Sequence, residues 1–244
     1  MSRHAVVTGD AGGVGSAICE LLVALGWRVT GIDRNPAPSG TTWTHFDADL
    51  AVRGEAILAA GKARQLEPVT ALVHAAADQR FGAAGSLDEE AWELTFRTNL
   101  FAIDLLVHAC KEDLRQANGS IVAISSVHAD ATTRDMAAYA ASKAALQGWA
   151  RAAALDLAPE IRVNVVQPGA IDTAMLWDGL ARRSSDLDER AALDELAART
   201  PLDRIGSASE IAEVVAFLLS DRSRFITGSV VRVDGGALAQ LPTE

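Results

Sequence analysis

At 244 residues, with 49% hydrophobic and 22% charged side chains, the chain has globular composition, which excludes disorder, collagen and coiled coil. A formal charge of −10 argues against binding a nucleic acid, whose phosphate backbone needs a basic face. Two cysteines, Cys19 and Cys110, are too few for a disulfide scaffold and suit a reducing compartment.

Short apolar runs alternate with longer helical ones. Residues 4–8 read as a buried strand and 13–26 as a helix ending on glycine. Strands follow at 28–32 and 42–46, then a helix at 52–66, a strand at 69–74 and a long helix at 88–114. Strand 120–125, helix 137–158 and strand 161–166 come next. Helices at 188–199 and 209–219 and a strand at 229–233 complete the chain. Such alternation predicts βαβ units and a parallel sheet. The strands are continuous apolar runs, such as Ile121-Val122-Ala123-Ile124, as a sheet covered on both faces requires.

The expected fold is one α/β domain over residues 1–244, doubly wound and Rossmann-like, with about seven parallel strands. Residues 174–200 are charged, amphipathic and without a strand. They follow a strand end, where such sheets bind ligands, so they are expected to cover a substrate. No uncharged apolar run reaches the roughly 18 residues of a membrane span. Met1-Ser2-Arg3-His4 runs directly into a strand, so a cytoplasmic chain without signal peptide is expected.

Between the first strand and first helix stands Thr8-Gly9-Asp10-Ala11-Gly12-Gly13-Val14-Gly15. Glycines there let the backbone turn tightly and approach a pyrophosphate, and the helix N-terminus offers N–H groups. A plain strand-to-helix turn is the competing reading. Asp33 closes the second strand, 24 positions after Gly9. A carboxylate there accepts hydrogen bonds from ribose hydroxyls and repels the 2′-phosphate of NADP, so NAD is expected over NADP. Arg34 is the opposing feature, able to meet that phosphate. Only 15 residues separate Asp33 from Asp49, so the second crossover helix is short or missing. Asp49 by itself reads as a cap of the 52–66 helix.

Tyr139-Ala140-Ala141-Ser142-Lys143 opens a helix, which puts Tyr139 and Lys143 on one face. A nearby ammonium is expected to lower the tyrosine pKa from about 10, making Tyr139 a general acid/base. Tyr139 is the only tyrosine, and Lys143 one of three lysines in a chain rich in arginine. Ser126, 13 residues before Tyr139, lies at a strand end facing the ligand crevice; Ser125 competes with it. Asn99 sits inside the predicted 88–114 helix, where asparagine is unfavourable without a partner.

The N-terminal TGxxxGxG, with the serine, YxxxK and Pro168-Gly169 segments in this order, resembles the short-chain dehydrogenase/reductase family. Pro201-Leu202-Asp203-Arg204-Ile205-Gly206 and Asp234-Gly235-Gly236 extend the resemblance over essentially the whole chain. It implies hydride exchange between a secondary alcohol and a ketone, with a nicotinamide cofactor. It implies catalytic roles for Asn99, Ser126, Tyr139 and Lys143. Cofactor contacts are implied at Gly9, Gly13, Val14, Gly15, Asp33, Arg34, Asp49 and Leu50. Further contacts are implied at Ala75, Ala76, Tyr139, Lys143, Pro168, Gly169, Ile171 and Thr173.

The chain departs from the family at His74-Ala75-Ala76-Ala77, where Asn-Asn-Ala-Gly is common. His74 reads as a buried structural histidine. Ala77 adds a methyl where the family has glycine. No histidine spacing suits a metal.

Substrate contacts are expected from His128, Arg134, Met136, Met175 and Trp177. Arg134 with Met136 and the Asp172 to Met175 segment resemble the 2,3-dihydro-2,3-dihydroxybenzoate dehydrogenases. A polyol or sugar dehydrogenase is the parallel reading, and a non-catalytic dinucleotide sensor the rival from another class. The partner is a small molecule, and the family implies a homo-oligomer, tetramer or dimer.

Overall fold

A computed structural model describes residues 3–182 and 188–240. Its elements begin with β1 (His4–Thr8), α1 (Gly13–Ala24), β2 (Arg28–Asp33), β3 (Thr44–Asp47), α2 (Arg53–Leu66) and β4 (Ala71–His74). α3 (Glu89–Phe96) runs through a π-helical turn, Arg97–Phe101, into α4 (Ala102–Gln116). The rest is β5 (Ser120–Ile124), α5 (Ala137–Asp156), β6 (Arg162–Pro168), α6 (Ala174–Ala181), α7 (Glu189–Ala198), α8 (Ala208–Leu219) and β7 (Val230–Val233).

The seven strands form one sheet, all pairs parallel, in the order β3-β2-β1-β4-β5-β6-β7. Successive side chains of a strand alternate between faces, so each apolar strand feeds two cores. Val6, Leu72 and Ile121 pack with α2, α4 and α5. Val7, Val73 and Val122 pack with α1 and α8. The chain leaves β1 toward β2 and β3, then returns to place β4 on the other side of β1. That reversal opens a crevice at the strands' carboxyl ends.

Local signals explain the boundaries. Asp88 caps α3 by accepting the Ala91 N–H. Ser207 and Glu210 form a reciprocal capping box on α8, which satisfies two otherwise orphaned donors. β2 joins β3 without a helix, as the short spacing predicts. The single helix expected over 88–114 is corrected to α3, a π turn and α4. Buried Asn99 sits in that turn, and its side chain bonds outside the helix. The segment 174–200, expected to cover a substrate, holds α6 and α7 among its described residues; 183–187 lie outside them. No helix among the described residues is long and apolar enough to cross a membrane.

Candidate active site

The glycines after β1 make close approaches that side chains would block. Gly9 has φ +74°, and a Cβ on it would lie 2.6 Å from the Ala76 nitrogen. A Cβ on Gly15 would lie 2.0 Å from the Gly9 carbonyl oxygen. A Cβ on Gly13 would meet the Thr173 methyl at 2.8 Å. The loop after β1 is thus clamped between the turn after β4 and the start of α6. Ser16 makes the first helical bond of α1, to the Gly12 carbonyl. The N–H groups of Gly13, Val14 and Gly15 precede that ladder and suit an anion.

Asp33 ends β2 half-buried. One carboxylate oxygen accepts the Asn35 N–H at 2.9 Å; the other accepts the Ala11 N–H at 3.3 Å. Arg34 is exposed. Asp49 accepts the Ala51 N–H at 2.9 Å. The N-cap of α2 is Val52, without a side-chain bond, so the capping role considered for Asp49 is corrected to the turn ahead of the helix. Leu50 is buried in the core.

His74 is fully buried, and its neighbours settle its tautomer. Its Nε2 lies 3.1 Å from the Thr98 carbonyl, which only accepts, so Nε2 carries the proton. Nδ1 therefore accepts from the Thr8 hydroxyl, at 2.9 Å. The Thr8 oxygen then accepts the N–H groups of Ala75 and Ala76, at 3.2 and 3.1 Å. Burial pushes the His74 pKa down to about 3. Ala77 has no positive φ, so its methyl is accommodated in the turn.

Tyr139 and Lys143 lie together on α5, both buried, with the ammonium 5.6 Å from the phenol ring centre. Lys143 Nζ donates to the Ile124 carbonyl at 2.8 Å. Ser126, just beyond β5, accepts the His128 N–H at 3.2 Å, and its hydroxyl favours the Tyr139 phenolate. Ser125 donates instead to the Lys143 carbonyl at 3.1 Å, so the two serines divide between site and scaffold. Asn99 Oδ1 accepts the Asp78 N–H at 2.7 Å, and its Nδ2 donates to Ser142 Oγ at 2.9 Å. Ser142 Oγ donates to the Tyr139 carbonyl at 2.8 Å. The π turn is thereby tied to the helix that carries tyrosine and lysine.

One electrostatic expectation is corrected. Burial pushes the Tyr139 pKa up to about 12, with the Ser126 bond pulling it back in part. Burial also lowers Lys143 to about 7. The physical reason is shared: both groups lose water, and desolvation penalises phenolate and ammonium alike.

Pro168 and Gly169 end β6, and the Gly169 N–H donates to Val233. Ile171 bridges to Gly206, and Thr173 is the N-cap of α6. Of the substrate candidates, His128 lies edge-on to Tyr139, ring centres 5.8 Å apart. Arg134 and Met175 are exposed. Trp177 donates to Asp172 at 2.8 Å. Met136 is buried at the N-cap of α5.

Sequence reasoning missed Asp78, a buried carboxylate that accepts from Arg80 and Thr95. It also missed Phe81, whose ring lies 3.3 Å from where a Gly179 Cβ would stand, against α6. No local motif marks either; the spacing from β4 was the available signal. Among the described residues no group of three ligands could hold a metal.

A family model described as enoyl-(acyl carrier protein) reductase matches residues 9–237. The chain is 32% identical over 251 residues to 2,3-dihydro-2,3-dihydroxybenzoate dehydrogenase of Bacillus subtilis, covering 96% of this chain and 95% of that one. It is 33% identical over 249 residues to bovine L-xylulose reductase, covering 97% of each. The solved ligand-free aldohexose dehydrogenase of Thermoplasma acidophilum superposes with TM-score 0.94 at 29% identity, covering 99% of this chain and 96% of that one. The chain therefore belongs to the short-chain dehydrogenase/reductase family, oxidoreductases that act on CH–OH groups with a nicotinamide dinucleotide.

Proposed function

We propose that this enzyme interconverts a secondary alcohol and a ketone with NAD(H) in preference to NADP(H), using Tyr139 as general acid/base. The observation that carries this is the convergence of Tyr139, Ser126 and Lys143 at the carboxyl end of β5, beside the glycine cradle. The cradle fits a dinucleotide because its three close approaches leave room only for backbone. Gly9, Gly13, Val14 and Gly15 would hold the pyrophosphate. Asp33, Asp49 and Leu50 would hold the adenosine, with Arg34 at its edge. Ala75, Ala76, Pro168, Gly169, Ile171 and Thr173 would border the nicotinamide end. The bound nicotinamide supplies the hydride acceptor or donor.

This chain's own residues handle the proton. Ser126 holds the reacting oxygen, and Tyr139 takes or returns its proton. Lys143, near 7 in pKa, gains charge when an anionic or hydroxyl-rich ligand meets it, and that charge then favours phenolate. Asn99 steadies the turn behind Tyr139. Acid/base help of this kind contributes about 10²–10⁴-fold.

The named relatives favour a cyclic dihydrodiol, a polyol or a sugar as substrate, received between His128, Arg134, Met136, Met175 and Trp177. Two buried free cysteines suit a reducing cytoplasm. The exposed Phe101 beside Phe96, which in turn meets Trp92, supports a homo-oligomer through α3 and α4.

A turnover screen with NAD and NADP against secondary alcohols, polyols, sugars and cyclic dihydrodiols tests the reading. Tyr139→Phe should lower turnover at least ~10²-fold while NADH still binds. Turnover that survives Tyr139→Phe overturns the catalytic assignment. NADH binding without turnover on any class favours the sensor reading.

A further inference from the structure

Beneath the cradle lies a polar cluster that the reading above does not use. Asp10 is fully buried in the turn after Gly9. Its Oδ2 accepts the Trp43 indole N–H at 2.8 Å and lies 2.8 Å from His45 Nδ1. Its Oδ1 is buried with no hydrogen-bond partner. β2 makes room for this carboxylate with Gly31, where a Cβ would stand 2.0 Å from Oδ2. The other imidazole nitrogen, His45 Nε2, lies 3.1 Å from Asp47 Oδ1.

Sheet register joins this cluster to the adenosine site. Gly31 pairs with His45, and Asp33 with Asp47. Register partners on parallel strands, and residues two apart on one strand, share a face. Asp33 and Asp47 therefore stand side by side at the carboxyl ends of β2 and β3. Asp10 reaches the same place through the backbone, because the next residue, Ala11, donates its N–H to Asp33.

Stability does not account for Asp10. A buried acceptor left without a partner costs about 1–3 kcal/mol, more when charged. A group kept at that cost on the rim of a binding cradle points to function. The geometry shows what function. Asp47 stands beside Asp33 with its side chain open to solvent, so a ligand group that meets Asp33 meets a second carboxylate. Burial opposes a proton on His45, but the hydrogen bonds and charges of Asp10 and Asp47 outweigh it and raise the His45 pKa.

We propose that Asp47 is a second specificity-determining carboxylate beside Asp33, held in place with it by the Asp10–His45 bridge, and that together they select a free ribose 2′-hydroxyl over a 2′-phosphate. The proposal rests on the dinucleotide reading and extends it to residues outside the family's motifs.

Calorimetric titration of 5′-AMP and 2′,5′-ADP onto the full chain tests it without turnover. The wild type should bind 5′-AMP more tightly. Asp47→Asn should narrow the affinity ratio about tenfold, chiefly through tighter 2′,5′-ADP, the scale of one carboxylate–phosphate repulsion near a surface. Asp10→Asn should narrow it too and also weaken 5′-AMP, because the turn that presents Ala11 to Asp33 is released. The Asp47 side chain is 81% exposed, so its variant leaves the core intact. If Asp10→Asn does not fold, His45→Gln reads the same bridge. A ratio unchanged by Asp47→Asn, with wild-type preference for 5′-AMP intact, overturns the proposal alone. A wild type that binds both fragments equally, or neither, overturns the NAD reading and the proposal with it.

Discussion

At Gly15 the first turn of α1 passes so close to Gly9 that the smallest side chain has no room: its Cβ would stand 2.0 Å from a carbonyl oxygen. Gly61, inside α2, has nothing within 4 Å of a Cβ. The two glycines therefore answer oppositely to the same substitution. Gly15→Ala should weaken NADH binding at least tenfold, or about 1.4 kcal/mol, because the backbone must move from the anion-binding geometry. Gly61→Ala should raise stability by about 0.5–1 kcal/mol, as alanine replaces glycine in a helix. NADH fluorescence titration and urea unfolding of both variants check the pair; equal NADH affinity in Gly15→Ala would remove the steric basis of the cradle. The same scale holds the clearest correction to the sequence reading. The spacing of Tyr139 and Lys143 predicts a shared face, and they share one. It carries no information on solvent, and loss of solvent moves both pKa values against the charged forms.

Helical periodicity over 88–114 predicts one element, because apolar residues recur on one stripe throughout. The chain instead makes a π turn at Arg97–Phe101. Asn99 causes no break by propensity alone; its partners Asp78 and Ser142 come from two other segments. Asn99→Ala should leave the buried Asp78 N–H without an acceptor and cost about 1–3 kcal/mol. Because Ser142 also loses its donor, kcat should fall more than KM changes. Urea unfolding and steady-state kinetics check this, and stability equal to the wild type would mean the π turn does not depend on the asparagine. Elements with purely local causes were legible: the glycines that open α1, the missing helix between β2 and β3, and the YxxxK turn of α5. α7 was legible too, predicted at 188–199 and found at Glu189–Ala198; α6 was not, since it gains its seat from Gly179 against Phe81, a contact distant in sequence.

Across the whole molecule, His4 and His74, both lowered by burial, pull stability one way with pH and His45 the other. His74 is fully buried, and burial lowers its pKa to about 3. Between that value and 6.5 the unfolded chain binds the proton and the folded chain does not, so its contribution is present above pH 6.5 and lost as pH falls toward 3. His45 is shifted upward, so its contribution is present below 6.5 and lost as pH rises through its folded value. His74 is the more deeply buried and the more shifted, so it should dominate the acid limb. One pH unit of differential protonation is worth about 1.4 kcal/mol, so moving from pH 6.5 to 5 should cost about 2 kcal/mol through His74. His74→Asn, which removes the titrating group, should flatten that limb. Urea unfolding of both proteins at pH 5 and 7.5 measures it; parallel acid limbs would place the loss elsewhere.

The sequence by itself determined the seven-stranded doubly wound class, the cradle, the acidic end of β2 and the tyrosine–lysine pair. All of these follow from local period, glycine placement and spacing along one element. Tertiary structure alone decided where Asn99 finds its partners and how far burial moves each pKa. It also decided that Asp10, His45 and Asp47 meet beside Asp33 at the carboxyl end of β2. Those facts depend on sheet register and on dehydration, and both arise only when segments distant in the chain are packed against each other.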